Sequence, residues 1–201
     1  MCDINGGIHV NKQKAKPSSP AIFMYCVIAV TAILSVVCFY LYYSGTVSDD
    51  LTLWIGVTCF TIMYHLWARI IMGNVSKLLK IEYTMPFFKE HGFEKKLYHL
   101  FRVRKWKDKA LTYNPELFSL KDYSLTEIAN TMCKAETDHL INVAISLTTL
   151  LFALIWGQLW IFLITAIFAI AFDMQFVFIQ RYNRPRVVRL IDRQKTKTVK
   201  G

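Results

Sequence analysis

The sequence has few acidic residues, few histidines and no Cys-x-x-Cys pair. The first shortage leaves the chain strongly basic, and the other two argue against metal and disulfide sites. Asp and Glu number 14 against 24 Lys and Arg, so the formal net charge is +10. The five cysteines are an odd number without a Cys-x-x-Cys pair, which predicts neither a disulfide framework nor a cysteine metal site. Five histidines are too few for the histidine clusters of a membrane desaturase. Disorder is excluded because 54% of the residues are hydrophobic.

Long stretches without charge are abundant instead. Residues 21–43 hold no charge or proline and can cross a hydrocarbon core of about 30 Å as one helix, and this apolar stretch is longer than the apolar core of a cleaved signal peptide. Residues 51–72 form a second stretch, in which Arg69 lies near the end and can reach the headgroups. Residues 140–179 are twice as long as one span, with Gly157 near the middle, which predicts a hairpin of two helices. The predicted fold is an all-α integral membrane protein with four transmembrane helices.

The charges indicate which way these helices point. The connection of residues 44–50 holds two aspartates and no base, and the turn at Gly157 holds no charge, whereas Lys and Arg collect in the other segments outside the spans. The positive-inside rule therefore places both termini in the cytoplasm, in a multi-pass protein of the cell membrane. The predicted regions are a basic cytoplasmic arm (1–20), a transmembrane hairpin (21–72), a cytoplasmic interfacial segment (73–139), a second transmembrane hairpin (140–179) and a basic cytoplasmic tail (180–201).

The segment between the second and third spans alternates aromatic and basic residues, as in Phe101-Arg-Val-Arg-Lys-Trp-Lys107. This pattern predicts an interfacial helical segment whose cations bind the phosphates of anionic lipids. Attachment to four spans argues against nucleic acid as a partner. Ser124, followed three residues later by Glu127, predicts a helix N-terminus, and this helix is expected to run from Leu125 into the third span.

Glu136 and His139 lie three residues apart, on one face of the helix that enters the third span. A carboxylate and an imidazole on adjacent turns can form a general base and the group that orients it. The structural alternative is a solvated pair at the end of a membrane helix. A di-iron site would need a second Glu-x-x-His pair and two further glutamates, which the sequence does not offer, so no metal is predicted.

Besides Arg69, an acid and a histidine lie inside predicted spans. Asp173 is about two turns from the cytoplasmic end of the fourth span, where a carboxylate is costly unless it faces a partner or water. It is a candidate catalytic residue, or else a helix–helix contact paired with Arg69 or Arg181. His65 lies at a similar depth in the second span, where a neutral packed imidazole is the simpler explanation. Both side chains could converge with His139 near the cytoplasmic face.

Directly after the fourth span comes Gln180-Arg-Tyr-Asn-Arg-Pro-Arg186. Three guanidinium groups around a proline predict a rigid elbow that binds phosphate, and residues 192–201 beyond it are expected to be loose. The alternative is an ordinary positively charged stop with an aromatic residue at the interface.

Three segments of the chain together resemble a known family: Phe101-Arg-Val-Arg-Lys-Trp-Lys-Asp-Lys109, Ala135-Glu-Thr-Asp-His139 and Gln180-Arg-Tyr-Asn-Arg-Pro-Arg186. In this order and on this hydrophobic layout, the chain resembles the glycosyl-4,4'-diaponeurosporenoate acyltransferases, bacterial membrane enzymes of the last step in staphyloxanthin-type carotenoid synthesis. The resemblance implies transfer of a fatty acyl chain to a sugar hydroxyl of a membrane glycolipid at the cytoplasmic leaflet. The residues that it implicates are Arg104, Lys105, Trp106, Lys107, Glu136, His139, Arg181, Tyr182, Asn183 and Arg186.

Acyl transfer offers a role for each candidate. His139 would deprotonate the acceptor hydroxyl, while Glu136 or Asp173 would hold its tautomer. Because the sequence has no Gly-x-Ser-x-Gly motif and no cysteine obviously beside a base, direct transfer is expected rather than a covalent acyl-enzyme. The groups expected to bind the donor phosphates and the oxyanion are Arg104, Lys105, Lys107, Arg181, Arg184 and Arg186, and those expected to position substrate are Trp106, Tyr182, Asn183 and His65.

The expected donor is acyl-CoA or an acyl carrier protein, with no bound cofactor or metal, and the expected partners are a lipid substrate and anionic membrane lipids. The sequence predicts no particular oligomeric state. The alternative function is a non-catalytic four-helix membrane protein that binds anionic lipid or scaffolds a partner complex. A transporter has less support, because the spans carry no broken-helix signals or inverted repeats.

Overall fold

The computed structural model describes residues 19–75, 78–109 and 118–200, and the first 18 residues of the predicted arm (1–20) lie outside these ranges. All regular structure in the described ranges is helical. The α-helices are α1 (Ser19–Tyr43), α2 (Asp50–Val75), α3 (Gly92–Leu100), α4 (Val103–Trp106), α5 (Leu125–Thr148), α6 (Ala153–Trp156) and α7 (Leu159–Lys200). Short 3-10 helices occupy Pro86–Phe88, Lys107–Lys109 and Thr149–Phe152.

Four stretches of helix in the described ranges are long and apolar enough to cross a membrane. They are α1, α2, α5 continued into α6, and α7, which confirms the predicted all-α fold with four candidate spans. Their outer faces carry large apolar side chains, including Phe23 at 72% and Leu154 at 87% exposure. An apolar surface of this extent is suited to contact with lipid rather than water.

The long helices pack as two hairpins, α1 against α2 and α5 against α7. Because α2 also contacts α5 and α7, these three helices enclose a common interior. Near the turn between α6 and α7 this interior is aromatic: Phe39 stacks on Trp156 with ring centroids 5.2 Å apart, and Phe60 meets the same indole edge-on at 5.1 Å. Gly157, with φ +75°, supplies the left-handed backbone that reverses the chain at the predicted hairpin turn.

The helix α5 begins at the predicted residue. Ser124 Oγ accepts from the backbone N–H of Glu127 at 3.2 Å, and the Glu127 carboxylate accepts from the backbone N–H of Ser124 at 2.8 Å. Both halves of a capping box are therefore present. From this start α5 runs on into the third span, as expected, and carries Glu136 and His139 towards α7.

The helix α7 contradicts the predicted elbow and loose tail. It runs unbroken through Pro185 to Lys200, so Tyr182 and Asn183 lie within a helix rather than in a turn. The proline removes one backbone hydrogen bond, but two guanidinium groups on the same stretch bind a buried carboxylate of α5 and hold the helix in place. A helix of 42 residues is roughly 60 Å long, about twice the hydrocarbon core, so about half of α7 extends beyond the membrane.

We predict opposite labelling of two introduced cysteines, in a chain whose own cysteines are replaced by serine. Ser48→Cys, between α1 and α2, should react with a membrane-impermeant maleimide on intact cells. Lys121→Cys, just before α5, should react only after permeabilisation, because the positive-inside rule places it in the cytoplasm. Both positions are exposed on the protein, so burial cannot explain a difference in labelling, which then reports the side of the membrane on which each cysteine lies. The reverse pattern would contradict the predicted orientation.

Candidate active site

A buried carboxylate links three of the membrane helices. Asp173 of α7 is fully buried, and its two oxygens contact different helices. Oδ2 accepts from Arg69 Nη2 of α2 at 2.5 Å, and Oδ1 lies 2.9 Å from His139 Nδ1 of α5. Arg69 also donates to the backbone carbonyls of His65 and Ala169, at 2.8 and 3.3 Å. The guanidinium and the imidazole together satisfy a charge that is otherwise costly at this depth.

The contact with Asp173 determines which nitrogen of His139 is open to chemistry. Because an ionised carboxylate has no proton to donate, we assign the hydrogen to Nδ1 and a lone pair to Nε2. The ring also stacks on Phe176, with centroids 4.6 Å apart. Nε2 has no hydrogen-bond partner in the described part of the chain, and the side chain is 24% exposed. His139 is an oriented imidazole with an accessible basic nitrogen.

Glu136, one turn before His139 on α5, forms a second buried cluster. Its Oε1 accepts from Arg181 Nε at 2.6 Å, and its Oε2 accepts from Arg184 Nη1. Arg184, itself buried, also donates from Nε to the backbone carbonyl of Phe88 at 3.1 Å. Glu136 is therefore engaged by guanidinium groups of α7, and of the two acids predicted to hold His139 it is Asp173 that contacts the ring.

The short helix α3 is attached to the same cluster. Glu94, only 2% exposed, accepts from Arg181 Nη1 at 2.7 Å and from the Tyr98 hydroxyl at 2.6 Å. Burial, reinforced by the bond to Glu94, raises the pKa of Tyr98 well above its usual range, so the phenol stays a donor. Arg181 also lies over the ring of Phe87, 5.3 Å from its centroid. Buried charge thus attaches the segment before α5 to α7.

The prediction that Arg181 and Arg184 bind phosphate must take account of these carboxylates. The two arginines, with Glu94 and Glu136, form a set of two positive and two negative charges. A phosphate would have to displace a carboxylate from an established ion pair in order to bind there. The phosphate-binding role of these two residues stays a prediction.

The helix α4 presents cations beside α7. Arg104 and Lys105 are exposed and have no ion-pair partner among the described residues, whereas Lys107 pairs with its neighbouring aspartate at 2.5 Å. Trp106 donates from Nε1 to the carbonyl of Phe101 at 2.9 Å, and the Phe101 ring stacks on α7 with centroids 5.1 Å apart. The aromatic residues of this segment hold it in place, and its cations face solvent.

The other predicted site residues do not contact the imidazole of His139 directly. Arg186 is exposed and its guanidinium stacks on Tyr182, 4.5 Å from the ring centroid, while Asn183 is half-buried. His65 is buried, and its Nδ1 lies 3.2 Å from Ser146 Oγ. No hydrogen bond, ion pair or ring contact in the described ranges joins these four predicted residues to the imidazole of α5. The positioning role of Tyr182, Asn183 and His65 and the phosphate-binding role of Arg186 therefore stay predictions. In the same ranges, no group of three or more His, Cys, Asp or Glu side chains is placed to hold a metal ion.

Comparison with known proteins identifies a family that covers these elements. A family model described as glycosyl-4,4'-diaponeurosporenoate acyltransferase matches residues 84–193, more than half of the chain. The chain belongs to this acyltransferase family. No curated protein and no solved structure matches the chain significantly. Membership confirms the resemblance predicted from the sequence and indicates an acyltransferase of carotenoid biosynthesis.

The matched region of the acyltransferase contains both buried clusters except for one member. Glu136, His139 and Asp173 lie inside residues 84–193, whereas Arg69 comes from α2, outside the match. The arginine that completes the Asp173 contact is therefore supplied by the part of the chain that the family model does not cover.

Two residues of the acyltransferase site carry little signal before the fold is known. Glu94 is one acid among basic neighbours, and Phe176 is one of 14 phenylalanines. Arg69, by contrast, is one of the two partners predicted for Asp173, and the contact of 2.5 Å confirms that pairing. The one available hint is spacing, because Glu94 and Tyr98 are four residues apart and share a face of α3. The other partners, Arg181 for Glu94 and His139 for Phe176, come from other helices, and spacing along the chain cannot identify them.

We expect Glu136→Gln to destabilise the acyltransferase, because it removes the negative charge between Arg181 and Arg184. Removing one partner of a buried ion pair costs about 3–5 kcal/mol, equivalent to a fall in Tm of roughly 10 °C. Asp108→Asn is the matched control, since it removes an exposed carboxylate paired with Lys107 and should leave Tm nearly unchanged. Thermal unfolding in detergent, followed by circular dichroism, measures both. Equal Tm values for Glu136→Gln and the wild type would show that this cluster is not structural.

Proposed function

We propose that this acyltransferase moves a fatty acyl chain from a thioester donor to a hydroxyl group of a membrane lipid, with His139 as general base. The observation that carries the proposal is the contact of 2.9 Å between Asp173 and His139 Nδ1, which leaves Nε2 open. The pair of Arg69 and Asp173 would already balance the buried charge. The additional imidazole supplies the proton-transfer capacity that acyl transfer to a hydroxyl requires.

The proposed reaction passes one proton through His139. Nε2 accepts the proton of the acceptor hydroxyl while the hydroxyl oxygen attacks the thioester carbonyl carbon and forms a C–O bond. Asp173 stabilises the resulting imidazolium. When the tetrahedral intermediate collapses, the C–S bond breaks and the departing thiolate takes the proton from Nε2. The products are an ester and a thiol, and the imidazole returns to its starting state.

The proposed donor is acyl-CoA or an acyl carrier protein, whose phosphate groups would bind exposed cations. Arg104, Lys105 and Arg186 are exposed, and no carboxylate of the described residues lies within ion-pair distance of them. Arg181 and Arg184 are already paired, so we assign them to holding α3, α5 and α7 together. Guanidinium and ammonium groups make charge-assisted hydrogen bonds to phosphate, which supports donor binding on this surface.

The proposed acceptor is a sugar hydroxyl of a lipid-linked glycoside such as a glycosyl carotenoid, in keeping with the family description. A lipid of this kind can approach through the bilayer along the apolar outer faces of the helices. His139 directly precedes the uncharged stretch of α5 that begins at residue 140, and at this level we expect both a lipid headgroup and a water-soluble donor to reach it. The proposed setting is the cytoplasmic leaflet of the cell membrane.

The alternative is a non-catalytic four-helix membrane protein that binds anionic lipid or scaffolds a partner complex. The net charge of +10 and the buried ion pairs would serve that function as well. It gives no role to an oriented imidazole with an open nitrogen. Turnover by the purified protein separates the two functions.

We predict that His139→Gln lowers the rate of acyl transfer by at least about 100-fold, because the amide cannot accept and return the proton. The assay combines the purified protein with dodecyl glucoside and either palmitoyl-CoA or palmitoyl acyl carrier protein, and detects the ester by mass spectrometry. His99→Gln, at an exposed histidine of α3, is the control and should retain full activity. Full activity in His139→Gln would refute the general-base role, and a wild type inactive with both donors would favour the non-catalytic alternative.

Neutralising the cations of α4 should weaken donor binding specifically. The double variant Arg104→Ser and Lys105→Ser is expected to raise the KM for palmitoyl-CoA roughly tenfold at low ionic strength, and by less in higher salt because screening weakens exposed charges. The KM for the sugar acceptor should not change. Lys121→Ser removes another exposed cation and is the control. An unchanged donor KM at low salt would exclude α4 from the donor site.

A further inference from the structure

Polar side chains continue into the interior of the bundle beyond the candidate active site. Asn142 and Ser146 follow His139 on the same face of α5, three and seven residues later. Asn142 and His65 are each 6% exposed, and Ser146 is 2% exposed. The contact of 3.2 Å between His65 Nδ1 and Ser146 Oγ joins α2 to α5 at this depth. Polar groups inside a membrane bundle are costly, which makes this interior a candidate binding site.

Three buried atoms of this interior have no hydrogen-bond partner among the described residues. They are His65 Nε2, Arg69 Nε and Asn142 Oδ1. Folded proteins rarely leave buried polar atoms unpaired, because desolvation is then uncompensated. Thr61, one turn before His65, shows the usual solution, since its hydroxyl donates to the carbonyl of Val57 in its own helix at 2.7 Å. The three atoms are therefore suited to a partner that is not part of the described chain.

Two contacts between α2 and α5 bracket the residues that carry the three atoms. The helices α2 and α5 are joined on one side by His65 and Ser146, and on the other by the carboxylate that Arg69 and His139 share. Asn142 lies between His139 and Ser146 along α5. On α2, the matching contacts come from His65 and Arg69, which are four residues or about one turn apart, whereas on α5 they come from residues seven positions or about two turns apart. Asn142 therefore lies between the two contacts along the bundle, at about the level of His65 and Arg69.

The hydrogen-bonding capacity of the three atoms selects the chemistry of the ligand. Arg69 Nε can only donate, Asn142 Oδ1 can only accept, and His65 Nε2 does one or the other according to its tautomer. A hydroxyl group both donates and accepts, so it matches the set. A phosphate or carboxylate would meet the Asn142 carbonyl oxygen, and an ammonium group would meet the Arg69 guanidinium, so both are disfavoured.

We propose that His65, Arg69 and Asn142 form an internal hydroxyl-binding site. The hydroxyl comes either from the lipid-linked acceptor or from water, and the first source rests on the proposed acyl transfer. A groove of about 190 Å³ on the same two helices is lined by Tyr64, Trp67, Ala68, Ile71, Met72 and Ile145. This lining is mostly apolar and partly exposed, and Tyr64 and Ile145 are the chain neighbours of His65 and Ser146, so a lipid chain can lie against α2 and α5 beside the proposed site.

Hydroxyl-radical labelling of the purified full chain, read by peptide mass spectrometry, tests the site without turnover. In the wild type, His65 should be oxidised several-fold faster than its 6% exposure would permit, because radicals form from water held at the site. Asn142→Leu keeps the side-chain size and removes the amide, so it should suppress this labelling several-fold. Thr61→Val removes a buried hydroxyl that bonds within its own helix, and it should leave the labelling unchanged.

Adding dodecyl glucoside identifies the source of the hydroxyl. If the acceptor supplies it, the glucoside should protect His65 in the wild type, and Asn142→Leu should raise the acceptor KM about tenfold without changing the donor KM. If the glucoside does not reduce the labelling of His65, the hydroxyl bound at the site is that of water. An inactive wild type would overturn the proposed function, while the labelling would still report on the site. An unlabelled His65 in the wild type, with an unchanged acceptor KM in both Asn142→Leu and His65→Phe, would overturn the hydroxyl site.

Discussion

The arrangement of the bundle depends on one buried carboxylate. Asp173 is fully buried, and its two oxygens find partners on different helices: Arg69 of α2 balances the charge, and the imidazole of His139 on α5 meets the second oxygen. An unpaired charge in a low-dielectric interior is expensive, so this requirement fixes the level at which α2, α5 and α7 pack. The same contact sets the tautomer and the orientation of the imidazole. The interaction that makes the buried charge tolerable is thus also the one that leaves His139 Nε2 available for proton transfer.

A second electrostatic constraint lies one turn towards the N-terminal end of α5. Glu136 and Glu94 neutralise Arg181 and Arg184, which draws α3 and α5 onto α7. These contacts explain two features that local sequence preferences do not. The helix α7 continues through its proline because its arginines are held from the side, and the segment before α5 docks on the membrane helices rather than forming a separate domain. The cations left exposed on α4 remain available to an anionic ligand.

Local features were predictable because they depend on neighbours in the chain. The four candidate spans, the capping box at Ser124 and the reversal at Gly157 follow from hydrophobic length, cap chemistry and glycine flexibility. The elbow after the fourth span was wrong because the turn preference of Tyr-Asn-x-Pro is weaker than the side-chain contacts that keep α7 helical. Glu136 and His139 do share one face of a helix, but each finds its own partner on α7, so their spacing did not make them a pair.

The sequence by itself determined the apolar spans, the basic segments between them and the membership of an acyltransferase family, because these properties depend on residue type and order along the chain. Only the tertiary structure decided that Asp173 holds the imidazole, that two of the arginines are neutralised, and that His65 and Asn142 face one interior. The physical reason is that the partner of a buried charge or polar atom is chosen by distance in space. Arg69 and Asp173, for example, are separated by 104 positions in the chain yet lie 2.5 Å apart.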